Sequence, residues 1–310
     1  MTARMDSAVR SLKRMRRASS TPREALSAIT GAINRRTGSE WDVVRRLGGW
    51  NHGAWLLRDR TGRRAVLKVG DAQFGRQLRR MAPVIEHARS AGWPTPAWLA
   101  WGVDHGLAYH VQDYEPGRRL VDVELTAGLV DVILGVNDVQ SSLKPPRDQH
   151  SWAGWPRKVL FEDAGGWASA MRAHSAETAS LLRVVEEFAM PLNDTSLPQA
   201  DLVHGDFNFG NLLVRRGAVI VIDVSSVGAG PRGYDLARFV LAALAVPRPP
   251  DRTLIRRMVE HARSSCAEAV WRICLCAQAV EWAGFGASYW PADDTRGFAE
   301  RAEIFLEEYA

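Results

Sequence analysis

Cysteine is scarce in this chain. There are three in 310 residues, Cys266, Cys274 and Cys276, all near the end and with no Cys-x-x-Cys among them. An odd count placed this way argues against a disulfide framework and a zinc site, and points to a reducing, cytoplasmic setting. Long apolar runs are also missing. No stretch approaches the roughly 20 residues that a membrane span needs, and no apolar segment follows the N-terminal positive charges as it would in a secretion signal. A membrane is therefore not expected as a partner. There is no internal repeat and no long low-complexity stretch, which excludes solenoids and fibres. Lysine is nearly absent: Lys13, Lys68, Lys144 and Lys158 are the only four among forty basic residues. Arginine is the default cation, so a lysine inside a strand requires a reason.

What is present is an ordinary globular composition, 46% hydrophobic and 24% charged. The net charge of +5 is unevenly spread. Residues 1–50 hold eleven basic and four acidic side chains, whereas the segment from Glu281 onward holds seven acids against Arg296 and Arg301. The basic character belongs to an arm, Arg10 to Arg17, and the body of the chain is mildly acidic. A nucleic-acid partner is accordingly not expected; the arm reads as a solvated tail.

Local signals divide the chain in two. Thr21-Pro22-Arg23-Glu24 reads as a capping box opening a helix to about Asn34. Strands are expected over about 41–47, 54–58, 65–69, 97–103 and 107–112, with a helix over 73–91 stopped by Gly92 and Pro94. Beyond Glu115-Pro116-Gly117 the pattern is helical over about 123–143, 176–189, 234–245 and 252–285. A hairpin interrupts it, with strands 211–214 and 218–223 and a turn at Arg216-Gly217. Residues 151–167, rich in tryptophan and glycine and without a clean period, read as a loop insertion. These signals give an α+β, bilobal chain. Residues 1–40 form a basic arm and helix, 41–111 a small strand-rich lobe, 112–117 a hinge and 118–310 a larger, mainly helical lobe.

The chemistry is concentrated in Val203-His204-Gly205-Asp206-Phe207-Asn208-Phe209-Gly210-Asn211, with Asp223 following at the end of a strand. Phosphoryl transfer from ATP needs a carboxylate to orient the acceptor hydroxyl, and an amide oxygen and a second carboxylate to hold Mg²⁺ against the phosphates. A kinase catalytic loop places its asparagine five residues after its aspartate, as Asn211 follows Asp206. The hairpin between Asn211 and Asp223 would bring the second carboxylate back beside the first.

This segment resembles the aminoglycoside phosphotransferase and choline kinase-like family, whose loop runs His-Gly-Asp-x-x-x-x-Asn. The family's continuation is matched by Asp223-Val-Ser-Ser-Val-Gly228 and by Tyr234-Asp235-Leu236-Ala237. The resemblance, over about residues 41–310, implies a protein-kinase-like fold with ATP (or GTP) and Mg²⁺ as cofactors. It implies Asp206 as catalytic base, Asn211 and Asp223 as metal ligands, and His204 and Asp235 as supports of the loop. Gly48, Gly49 and Asn51 fall where the family's nucleotide-covering loop would be. Lys68, on the strand Ala65-Val66-Leu67-Lys68, resembles the lysine that pairs with the α- and β-phosphates. Gln112, Asp113 and Tyr114 fall at the adenine-binding hinge. The pattern departs at the glutamate that partners this lysine: its slot falls near Arg80-Met81, and Glu86 is the one acid on that helix.

The acceptor is not decided by the loop. A basic small molecule would need carboxylates, and Glu162, Asp163, Glu281, Asp293 and Asp294 are candidates in the larger lobe. Trp152, Trp155, Trp167, Trp282 and Trp290 could pack on a ring face or a cation. An antibiotic kinase acting on an aminoglycoside or a tuberactinomycin-type cyclic peptide is the leading expectation. A kinase for choline, a sugar or an amino alcohol is the alternative, and a nucleotide-binding regulator is a third reading.

Overall fold

The computed structural model describes residues 22–48, 53–145 and 151–309. Residues 1–21 with the basic arm, and the expected nucleotide-loop residues Gly49 and Asn51, lie outside them. The chain forms two compact units, one of residues up to 90 together with 95–116, the other of 91–94 and 117–310.

The first unit is built on a five-stranded antiparallel sheet. Its strands β1 (Asp42–Gly48), β2 (Ala54–Arg58), β3 (Arg64–Gly70), β4 (Trp98–Asp104) and β5 (Leu107–Asp113) lie in the order β1-β2-β3-β5-β4. Successive side chains point to opposite faces, so each strand feeds two layers. On one face Leu57, Ala65, Leu67, Val69, Tyr109 and Val111 pack with Leu26, Ile29 and Ile33 of helix α1 (Pro22–Thr37). Asn34 locks the end of α1 to the sheet: its Oδ1 accepts from Trp41 N at 2.8 Å and its Nδ2 donates to Trp41 O at 3.0 Å. The helix read from sequence as part of an arm is thus a layer of the strand-rich unit. On the other face Ala108 meets Phe74 and Leu78 of helix α2 (Ala72–Ser90), with Trp98 and Trp101 alongside.

The second unit is helical. Its helices are α3 (Ala127–Ser142), α4 (Trp155–Phe161), α5 (Trp167–His174), α6 (Ala176–Ala189), α7 (Gly233–Ala245), α8 (Arg252–Ser265), α9 (Glu268–Tyr289) and α10 (Ala292–Tyr309). Helix α9 is apolar on nearly every side, from Val270 to Gly286, because it packs against α4, α5, α6, α7 and α10 at once. Residues 151–167, expected as a loop, instead contain α4 and lead into α5; both are too short for a periodicity to show. The single helix expected over 252–285 is two, broken at Cys266-Ala267, where Cys266 turns extended.

Short strands carry the motif. β6 (Arg118–Arg119) pairs with the hairpin β8 (Leu212–Arg215) and β9 (Ala218–Val221), while β7 (Asp201–Val203) pairs antiparallel with β10 (Gly228–Gly230). The segment from 201 to 230 therefore closes on itself, with the His-Gly-Asp loop at the exit of β7 and Asp223 at the exit of β9. Among the described residues no helix is long and apolar enough to cross a membrane.

Candidate active site

Asp235 of α7 grips the start of the loop after β7. Asp235 is fully buried, and its carboxylate accepts the backbone N–H groups of His204 at 2.6 Å and Gly205 at 2.9 Å, and Gln140 Nε2 at 2.6 Å. Burial raises its pKa above the ordinary aspartate value against the pull of these donors. His204 is also buried and joins the loop to the hairpin. Its Nδ1 accepts from Asp206 N at 3.2 Å, and its Nε2 lies 3.0 Å from Ile222 O, the arrangement of a ring protonated on Nε2. Gly205 turns at φ +77°, a left-handed conformation that keeps the loop against the ring of Trp152.

These contacts present the Asp206 side chain. Asn211 Nδ2 donates to Asp206 Oδ2 at 2.8 Å and to Asp206 O at 2.9 Å. Asn208 Nδ2 donates to Oδ1 at 2.8 Å. On the far strand, Ile222 N donates to Asn211 O at 2.9 Å, which sets Asp223 next to Asn211. Asp223 itself is left-handed, φ +59°, and its Oδ1 accepts from Ser225 Oγ at 3.2 Å.

An amide oxygen at 211 and a carboxylate at 223 are hard oxygen donors, the set that Mg²⁺ takes. Both Asn211 Nδ2 contacts go to Asp206, which orients the amide with Oδ1 on its other side. Among the described residues no three His, Cys, Asp or Glu side chains form a metal cage. Two protein ligands suit an ion that fills its shell with phosphate and water.

In the first unit, Lys68 and Val66 stand across β3–β5 from His110 and Gln112. Gln112 is buried. Asp113 N donates to Ala97 O at 2.9 Å and Tyr114 N to Arg64 O at 3.3 Å, so the N–H groups of these two residues, expected at a hinge, are committed within the first unit. Asp113 pairs with Arg63 at 2.7 Å, and Arg64 lies over the Tyr114 ring. Gly48 ends β1 opposite Ala54, the residue that also faces Lys68. Glu86 is exposed on the solvent side of α2, whose buried stripe of Phe74, Leu78, Met81, Val84, Ile85 and Ala88 holds no acid. It is not the inward glutamate the pattern requires.

One acceptor candidate is also corrected. Glu281 is buried: its Oε1 takes Tyr234 OH at 2.8 Å and Trp155 Nε1 at 2.6 Å, and its Oε2 faces Arg238 at 3.4 Å. Asp163 caps α5, accepting Ala168 N at 2.8 Å and Ser169 Oγ at 2.6 Å. Glu162, Asp293 and Asp294 are exposed, Asp293 paired with Arg296. Of the tryptophans, Trp152 is internal, donating to Ser226 O at 2.8 Å and stacked on Tyr234, and Trp167 is buried.

The side chain that sequence reasoning missed is Arg238, whose Nε lies 2.7 Å from Asp206 Oδ1. Its place one helical turn after Asp235 was the available signal, since positions three apart share a helix face.

Residues 42–272 match the model of a family described as the phosphotransferase enzyme family. The chain belongs to this family. As a phosphotransferase it shares its fold with solved members. Aminoglycoside phosphotransferase APH(4)-Ia, in a thermostable mutant form with ADP and hygromycin B, aligns with a TM-score of 0.64 at 18% identity, over 91% of this chain and 99% of that one. Spectinomycin phosphotransferase APH(9)-Ia gives 0.68 at 11% identity, over 90% and 98%. Amicoumacin kinase hAmiN gives 0.60 at 14% identity, over 93% and 96%. At such identities the likeness is one of fold. Among curated proteins no match is found.

Proposed function

We propose that this phosphotransferase moves the γ-phosphoryl group of ATP, with Mg²⁺, directly in line to a hydroxyl of a basic antibiotic such as an aminoglycoside or a tuberactinomycin-type cyclic peptide. The observation that carries the reading is the fixed trio of Asp206, Asn211 and Asp223. One carboxylate is held by Asn211 and Asn208, and an amide and a second carboxylate are carried at the ends of strands joined by the Ile222–Asn211 hydrogen bond. The bound nucleotides and antibiotics of the structural relatives support it: ADP with hygromycin B, ADP with spectinomycin, and AMP-PNP with Ca²⁺ in the amicoumacin kinase.

In this reading Asp206 accepts the hydrogen bond of the attacking hydroxyl and takes its proton as the O–P bond forms. Asn211 and Asp223 hold the metal, which when bound offsets phosphate charge. Lys68 pairs with the α- and β-phosphates, and Gly48, Gly49 and Asn51 cover them. The hinge at 112–114 receives the purine through main-chain groups other than the committed Asp113 and Tyr114 N–H. Asp235 and His204 hold the loop still. Glu162, Asp293 and Asp294 remain as acids for a cationic acceptor.

The inward use of Glu281 favours a second reading, in which the acceptor carries less charge: choline, a sugar or an amino alcohol. Coupled nucleotide turnover with Mg²⁺-ATP over hygromycin B, spectinomycin, a tuberactinomycin, choline and common sugars decides between them. Asp206→Asn is expected to lose about 10²- to 10⁴-fold in turnover with nucleotide affinity little changed, and Asp223→Ala to lose Mg²⁺-nucleotide binding. Near-wild-type turnover by Asp206→Asn would refute the site.

A further inference from the structure

Arg238 is the hub of a largely buried polar chain that runs inward from Asp206. Its Nε lies 2.7 Å and its Nη2 2.5 Å from Asp206 Oδ1. On the other side, Nη1 donates to Gln278 Oε1 at 2.9 Å and faces Glu281 Oε2 at 3.4 Å. The Trp282 ring lies under the guanidinium at 5.3 Å. Glu281 is in turn held by Tyr234 and Trp155, so three helices, α4, α7 and α9, fix the rear of the chain. Side-chain exposure falls along it, from 36% at Asp206 to 12% at Arg238 and 8% at Glu281.

We propose that Arg238 is a positioning residue for phosphoryl transfer: it saturates Oδ1 of Asp206 and thereby assigns Oδ2 as the oxygen that receives the acceptor hydroxyl. The inference rests on the function proposed above. A carboxylate oxygen has about two lone-pair sites. Oδ1 already faces Asn208 Nδ2 and two guanidinium nitrogens, whereas Oδ2 carries one donor, Asn211 Nδ2. One acceptor site is left, and it is on Oδ2.

The arginine also solves an electrostatic problem. The loop carboxylate must stay close to phosphates of its own sign, and a cation behind it offsets that repulsion. Burial works against the charge on Arg238, but Asp206 and Glu281 more than offset this, so its pKa lies above the ordinary arginine value. The cation is permanent at any working pH. Lysine could supply the charge but not the fork, which here makes two contacts forward and two backward.

The test compares wild type, Arg238→Lys and Arg238→Ala with Mg²⁺-ATP and the acceptor turned over in the panel above, or with acceptor-free ATP hydrolysis. Each variant is read for kcat, acceptor KM, nucleotide affinity and melting temperature. Arg238→Lys is expected to fold and to lose kcat about 10- to 100-fold, the worth of a charge-assisted hydrogen bond at a decade per 1.4 kcal/mol. Nucleotide affinity should stay within about twofold, since only transition-state positioning is lost. Arg238→Ala should lose more, and added guanidinium at millimolar concentration should restore part of its turnover while leaving the wild type unchanged. If the alanine variant does not fold, the lysine variant carries the test through its kcat-against-affinity split.

Wild-type kcat in either folded variant would overturn the proposal. So would a loss shared equally by kcat and nucleotide affinity, with a lowered melting temperature and no guanidinium rescue. A wild type without turnover in any arm would overturn the function itself and this inference with it, and that failure shows before any variant is made.

Discussion

Replacing Gly205 by alanine tests whether the loop that presents Asp206 has the backbone described here. At φ +77° an L-residue meets its own carbonyl oxygen, a cost of about 1–2 kcal/mol. The added Cβ would lie 2.2 Å from Trp152 Cζ2 and 2.4 Å from Cε2. That ring cannot easily retreat, because its Nε1 donates to Ser226 O and its face stacks on Tyr234 at 5.2 Å between centroids. Overpacking of this kind costs about 1–3 kcal/mol. The sum is about 2–5 kcal/mol. In a unit of roughly 200 residues each kcal/mol lowers Tm by about 2–4 °C, so a fall of about 4–20 °C is expected by calorimetry. Turnover should fall further than stability, because moving Gly205 moves both N–H groups that Asp235 holds and the Asp206 carboxylate beyond them. A Gly205→Ala protein that melts within about 2 °C of wild type with full turnover would refute the left-handed turn, the Trp152 contact, or both.

Glu281 leaves a signature in the pH dependence of stability. Burial raises its pKa above the ordinary 4.5, against the opposing pull of Arg238, Tyr234 and Trp155. From 4.5 up to the folded value the native protein keeps a proton that the unfolded chain has released, so stability falls as pH rises through that window. Denaturant titrations should therefore show the wild type losing ground to Glu281→Gln as pH increases from 4.5, whatever the offset at one pH; a wild type that gains ground instead would reverse the assignment. The cysteines should be inert in the folded protein. Burial raises the thiol of Cys266 to about 11 and that of Cys276 to about 12, and Cys274 well above its ordinary value. A thiol reagent at pH 8 should label none of them until denaturant is added, and prompt labelling of Cys274 or Cys276 would contradict their burial.

Sequence reveals what is repeated locally and hides what is paired at a distance. The alternation in Arg64–Gly70 and the amphipathic run of Ala176–Ala189 announce a strand and a helix because each carries its own period. The spacing from His204 to Asn211 is legible for the same reason: the chemistry dictates it over eight residues. β7 and β10 are three residues each and exist because they pair with each other, which no window of sequence contains. Arg238 escaped for a related reason. It reads as a surface arginine on an amphipathic helix until Asp206, thirty-two residues earlier, is folded against it. Glu281 carried a local hint, a lone acid within the apolar stretch of α9, but its meaning depended on Arg238, Tyr234 and Trp155 arriving from other elements.

Helix α1 has a practical consequence for anyone preparing this protein. The family match begins at residue 42, after α1 has ended, and stops at 272, inside α9. A fragment trimmed to those limits would strip Leu26, Ile29 and Ile33 from the sheet and leave Leu57, Leu67 and Val111 facing water. An apolar sheet surface uncovered in this way invites copies of the fragment to stick together. The stretch that the family model matches is thus shorter than the stretch that folds, and expression boundaries should follow the hydrophobic layer, not the limits of that match.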